Sequence, residues 1–220
     1  ASIQTGIDAA APPAIVKIAA GEYAENVTLA DGIALVGAPS PEVTTITAAG
    51  SGRVVLVPNG RTACLANLVL TGGASGGAGA GLYADNAQHL YLFRCAVVDN
   101  TLNVNTSGAG MFVRAASLRL VESRLARNTM PSGGYDGGGA WLDVNQAYIS
   151  RCRITGNYAG DDGGGLYING GHAVIQNTLI ARNSADDDGD GVYLYNTAGV
   201  AVEHCVVADN AGQGLTTYGT

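Results

Sequence analysis

The chain has 220 residues, 47% hydrophobic and 13% charged, with 33 glycines and a net charge of −7. That balance excludes a disordered polar chain, and the lack of a Gly-X-Y period excludes collagen. Ten of the eleven basic residues are arginine, with Lys17 the exception, and they form no basic block, which argues against nucleic acid or anionic membranes as partners.

Taken in chain order, residues 2–10 (SIQTGIDAA) fit a short amphipathic helix over the open end of a core, so 1–12 is read as an N-terminal cap. The apolar stretch at 9–20 is broken by two prolines and a lysine, and no run reaches the ~18 residues of a membrane span. The sequence starts at Ala1 with neither Met nor signal peptide, which leaves a mature secreted protein and a trimmed fragment both open. Residues 13–220 read as one domain. It opens on short strand-like runs that include GEYAEN (21–26), IALVG (33–37) and TTITAAG (44–50).

Two interleaved signatures then repeat. LFRCAVVDN (92–100), LVESRLARN (120–128), ISRCRITGN (149–157), IQNTLIARN (175–183) and VEHCVVADN (202–210) align, with asparagines at 100, 128, 157, 183 and 210. CLANLVLTGG fits one step upstream, with Asn67 in the column of small residues. Between these segments stand GAGLYA, GAGMFV, GGGAWL, GGGLYI, GDGVYL and GQGLTT, whose last glycines are 81, 110, 139, 165, 191 and 214. The period of 26 to 29 residues also suits a leucine-rich repeat, but no unit carries a helix-forming segment in phase. Short alternating runs punctuated by Gly, Asn and Asp instead predict an all-β, right-handed parallel β-helix of about 7–8 coils, three short strands to a coil. The recurrent Asn is expected to be a left-handed turn residue. Gly-x-Gly is expected to be a corner needing positive φ or tight approach between coils.

The opening motifs GEYAEN and IALVG resemble the start of pectin-lyase-like β-helix proteins. The later coils resemble bacterial extracellular β-helix repeats, including those of polymorphic outer-membrane proteins. The resemblance covers nearly the whole chain and implies fold more strongly than function. It implies a secreted or cell-surface bacterial protein acting as a stalk, an adhesin or a glycan-contacting module, with a polysaccharide or cell-surface glycan as partner. A calcium-dependent polysaccharide lyase or glycoside hydrolase acting on acidic polysaccharide is the alternative. The ending GLTTYGT (214–220) lies part-way through a coil and predicts an uncapped end, open to continuation of the solenoid or to self-assembly into fibres.

Residues in one repeat position should form ladders ~4.8 Å apart. The small column reads Asn67, Cys95, Ser123, Cys152, Thr178, Cys205, beside an aliphatic column of Val69, Val97, Leu125, Ile154, Ile180 and Val207. Its cysteines fall two coils apart, beyond the ~7 Å reach of a disulfide. Cys64 aligns with Leu92, and four free, buried thiols are expected. The aromatic column, Tyr83, Phe112, Trp141, Tyr167 and Tyr193, followed by Thr216, should point outward as a self-supporting stack or a sugar-binding strip.

Asp136, Asp162 and Asp188 precede successive Gly-x-Gly corners and should stack, and Asp161, Asp186, Asp187 and Asp190 extend the acidic ridge. The ridge suits either plain hydration or a Ca²⁺ ion held by carboxylates; no cofactor is otherwise required. Arg94 and Arg151 share one outward column and Arg124 and Arg153 another, giving a basic strip that could meet a glycan or pair with carboxylates, Arg182 with Asp186 for example. No lyase, esterase or polygalacturonase motif is complete. His172 is expected in a turn and His204 on a strand, so no catalytic residue is assigned.

Overall fold

The computed structural model describes residues 2–39, 44–133 and 135–219; the outermost residues of the predicted cap and domain, Ala1 and Thr220, lie outside them. The chain winds as a parallel β-solenoid, and every pairing between its named strands is parallel. One sheet of eight strands runs from Gly21–Ala24 to Val206–Ala208, one strand per coil. The largest sheet, hereafter the broad sheet, begins at Ala14–Lys17 and includes the long strands Leu82–Phe93, Met111–Val121 and Ala140–Ser150. The third side is built of two-residue strands such as Tyr158–Ala159 and Ser184–Ala185.

A short helix, Ile3–Ala9, opens the chain. Ser2 Oγ caps it by accepting the Thr5 N–H, and the Glu25 carboxylate accepts the N–H groups of Ile3 and Gln4. Ile3 and Ile7, one turn apart, are buried in the solenoid core. That core consists of stacked like residues: Leu82, Met111, Ala140, Leu166 and Val192 are in register and at most 1% exposed.

The recurrent asparagines are not the left-handed residues. They point inward, where each Nδ2 donates to the Oδ1 of the next: Asn100 to Asn128 at 3.0 Å, then 2.9, 3.0 and 3.1 Å on to Asn210. Each Nδ2 also reaches a backbone carbonyl, as Asn157 does to Leu125, so the buried amides are satisfied. Positive φ falls one residue earlier, at Gly72, Asp99, Arg127, Gly156, Arg182 and Asp209. A second left-handed column comprises Asn67, Arg94, Glu122, Arg151, Asn177 and His204.

That second column corrects the alignment of the third coil by one residue. Val69 pairs with Ala96 and Leu70 with Val97, so Asn67 stands beside Arg94, and Leu68 (0% exposed) fills the inward column. Asn tolerates the left-handed corner and Leu belongs in the core, so local chemistry sets the register. Cys64 consequently lies opposite Tyr91, not Leu92. All four cysteines are free, but only Cys95 and Cys152 are buried; Cys64 and Cys205 are half-buried. Burial pushes the Cys95 thiol up to about 12 and Cys152 to about 11.

The two glycines of each Gly-x-Gly corner do different jobs. The first is left-handed at Gly79, Gly108, Gly137, Gly163 and Gly189. The last lets the coils approach: a Cβ on Gly139 would lie 2.3 Å from the Gly165 carbonyl oxygen. His172 begins the strand His172–Gln176 instead of lying in a turn, and His204 occupies a left-handed corner (φ 52°) instead of a strand.

Candidate functional site

The acidic ridge lies on the loop between the two-residue strands and the Gly-x-Gly corner. Asp136, Asp162 and Asp188 do stack. Asp162 Oδ1 accepts the N–H of Asp188 at 3.0 Å, and Asp136 Oδ1 that of Asp162 at 3.4 Å. Asp187 sits over Asp161 through a backbone hydrogen bond, and Asp186 accepts the Tyr158 hydroxyl at 2.8 Å. Asp190 does not join the ridge: it is the middle residue of its corner, 4% exposed, and its Oδ1 accepts the Ala185 N–H. One oxygen each from Asp136, Asp161 and Asp162 come within 4.8 Å of one another, the arrangement able to hold a cation. Burial, then the neighbouring charges of Asp162 and Asp161, raise the Asp136 carboxyl to about 6, although the Asp162 N–H pulls the other way. Burial and adjacent carboxylates also raise Asp161 and Asp162.

The arginines lie elsewhere on the coil. Arg94 and Arg151 occupy left-handed corners on either side of Glu122, which is left-handed itself. Arg94 Nε donates to one Glu122 oxygen at 2.7 Å, and Arg151 approaches the other at 3.0 Å. The two guanidiniums hold Glu122 below the usual carboxylate range. Arg127 grips Asp99 through two hydrogen bonds. Arg124 and Arg153 are direct register partners on the eight-stranded sheet. Among the described residues, ion pairs go to Asp31, Asp85, Asp99 and Glu122, and none to the ridge. The expected pairing of Arg182 with Asp186 is therefore not made, and Arg124 and Arg153 stand side by side with no carboxylate between them.

The aromatic column points away from the core. Tyr83–Phe112, Phe112–Trp141, Trp141–Tyr167 and Tyr167–Tyr193 stack at centroid distances of 5.3, 4.6, 6.3 and 5.3 Å, with planes within 16° of parallel. Each interior ring therefore has both faces occupied. The Arg53 guanidinium covers Tyr83 at 4.3 Å, and Tyr167 and Tyr193 are nearly buried. Burial pushes the Tyr193 hydroxyl up to about 12 and raises Tyr167 as well.

Two grooves on the outer face of the broad sheet did not emerge from the repeat columns. The larger, about 740 Å³, holds Asp85, Arg114 and Asp143, with Arg114 paired to Asp85 at 2.6 Å. The second, about 500 Å³, crosses the distal halves of four coils. One of its columns runs His89, Ser117, Gln146, His172, and the next runs Tyr91, Arg119, Tyr148, Val174. Leu90, Leu118, Ala147 and Ala173 alternate with them and face inward. This alternation is written in HLYLF, SLRLV, QAYIS and HAVIQ, but the segments lack an invariant residue to align them. Arg119 lies 5.4 Å over the Tyr148 ring and makes no ion pair among the described residues.

Parallel pairing, three-sided coils and in-register ladders define the class as a parallel β-solenoid. A comparison with protein-family models matches residues 67–220 to the right-handed β-helix region, and the chain belongs to that family. A search of curated proteins found no match.

Proposed function

We propose that the protein is a non-catalytic rod that works outside the cell or at its surface and holds glycan along the broad sheet. The observation that carries this is the second groove, where Tyr91 and Tyr148 flank Arg119, which makes no ion pair among the described residues. The exposed ring of Tyr91 can take the apolar side of a sugar, while Arg, Ser and Gln donate to its hydroxyls. Coils ~4.8 Å apart present these groups at intervals close to the length of one pyranose unit. Most of the other candidate residues are committed to axial ladders, which supports a stiff scaffold. Calorimetric titration with oligosaccharides tests the reading: binding lost in Tyr148→Ala is expected, and no binding by any neutral or acidic hexasaccharide overturns it.

A calcium-dependent lyase is the second reading, favoured by the meeting of the Asp136, Asp161 and Asp162 oxygens. It requires calcium-dependent release of unsaturated products from polyuronate, abolished by Asp162→Asn. Intact substrate after incubation with calcium removes it.

A further inference from the structure

We infer that the outer face of the eight-stranded sheet docks a second copy of this chain, taking that copy's acidic ridge alongside it in a salt-dependent contact. Six of the eleven basic residues lie on this face or at its corners, although the chain as a whole carries a net charge of −7. Three of the six already have partners: Arg94 and Arg151 clasp Glu122, and Arg127 holds Asp99. The other three, Arg124, Arg153 and Arg182, make no ion pair among the described residues. Arg124 and Arg153 stand next to the buried Leu125 and Ile154 on their strands and so point outward, and Arg182 is exposed at its left-handed corner. A shallow trough of about 320 Å³ is lined by Arg153, Arg182, Leu179 and Val206, and its one carboxylate is Asp209.

Charge and spacing identify the occupant. The three arginines stand on three consecutive coils, those of Asn128, Asn157 and Asn183. The ridge occupies the same three coils, with Asp136 on the first, Asp161 and Asp162 on the second, and Asp186, Asp187 and Asp188 on the third. Both strips therefore repeat at the coil spacing of ~4.8 Å, and a parallel copy laid alongside matches arginine with aspartate coil for coil. Each strip is a row of like charges that repel along the axis, and an opposite row relieves both. That relief is not found within one molecule. Among the described residues no arginine pairs with the ridge, and Arg182 does not reach Asp186 although only four residues separate them. A matching pitch is a property of this solenoid, which singles out a second copy among acidic partners. Strip and ridge are different patches, so the contact is heterologous, and copies add side by side instead of stopping at a pair.

The test is sedimentation velocity of the intact protein, with a chelator present so that no cation bridges two ridges. Exposed ion pairs are weak singly, so the weight-average mass should rise about twofold by roughly 0.5 mM protein in ~20 mM salt. It should return to that of the monomer in ~0.5 M salt, where the screening length falls to about 4 Å. Arg124→Glu/Arg153→Glu/Arg182→Glu and Asp161→Arg/Asp187→Arg should each abolish association. An equimolar mixture of the two variants should restore it, because the acidic strip of one meets the basic ridge of the other. Both variants remain net negative, so general charge attraction does not produce this rescue. The near-ultraviolet signal of Trp141 reports that each variant is folded. A parent protein that stays monomeric at roughly 0.5 mM in ~20 mM salt overturns the inference. So does association that survives either set of substitutions, as end-to-end stacking would, or a mixture of folded variants that stays monomeric.

Discussion

Asn157 Oδ1 accepts two hydrogen bonds from Asn128, one from its backbone N–H at 3.1 Å and one from its Nδ2 at 2.9 Å. Both residues are at most 1% exposed. Asn157→Ala strands two buried donors at once, so a loss of about 2–4 kcal/mol is expected in urea unfolding. Asn157→Asp keeps the acceptor but brings an unpaired charge into the core, and should cost at least as much at neutral pH. A cost below 0.5 kcal/mol for both would mean that the column does not hold the coils together.

The corner glycines separate two physical effects. Gly139→Ala drives a methyl into the Gly165 carbonyl oxygen and Gly170→Ala meets open space, although the latter residue has φ of 67°. Gly170→Ala should therefore cost about 1 kcal/mol, the left-handed penalty alone. Gly139→Ala should cost several-fold more or prevent folding. Equal midpoints in thermal denaturation would contradict close approach at the corner.

The acidic ridge carries a pH signature. The folded-state Asp136 carboxyl is raised above its ordinary value, so the folded protein binds more protons between about pH 4 and 6. Stability should fall as pH rises through that window, opposite to an ion-paired carboxylate. In a sealed site the shift would be worth about 3 kcal/mol; solvent reaches this loop, so Asp136→Asn should gain about 1 kcal/mol at pH 7.5. The gain should vanish below pH 4. A variant less stable than the parent at pH 7.5 would refute this sign.

Arg124 and Arg153, side by side on adjacent coils, should repel. Arg153→Glu turns the pair attractive and should stabilise by roughly 0.5 kcal/mol at low salt, with the gain screened in 1 M NaCl. A salt-independent change would point to packing instead of charge.

The period, the parallel coil, the glycine corners and the stacked aspartates were all legible in the sequence, because Asn100 through Asn210 and Gly81 through Gly214 mark the same place in successive coils. What the sequence obscured was direction. Asn read as a turn former, yet a ladder of amides that satisfy one another makes it an interior residue. Arginine rarely adopts positive φ, so nothing announced that Arg94 and Arg151 would form corners and clasp Glu122. The broad-sheet groove was hidden because its columns hold unlike residues: His, Ser, Gln, His in one and Tyr, Arg, Tyr, Val in the next.

Coil length varies where the ladders leave room. Thr129 to Gly137 spans eight steps while the equivalent Tyr158 to Gly163 and Ser184 to Gly189 span five, and the acidic residues fall in these stretches. Elsewhere the amide column, the left-handed corners and the crowded glycines hold successive coils in step. The molecule is thus editable in units: removing residues 158–183 would bring Asn157 beside Ser184 and leave each ladder with a compatible neighbour. Removing half that length would set core residues against corners. Such a chain can lengthen or shorten by whole coils while keeping its cross-section, and can vary one loop without disturbing the rest.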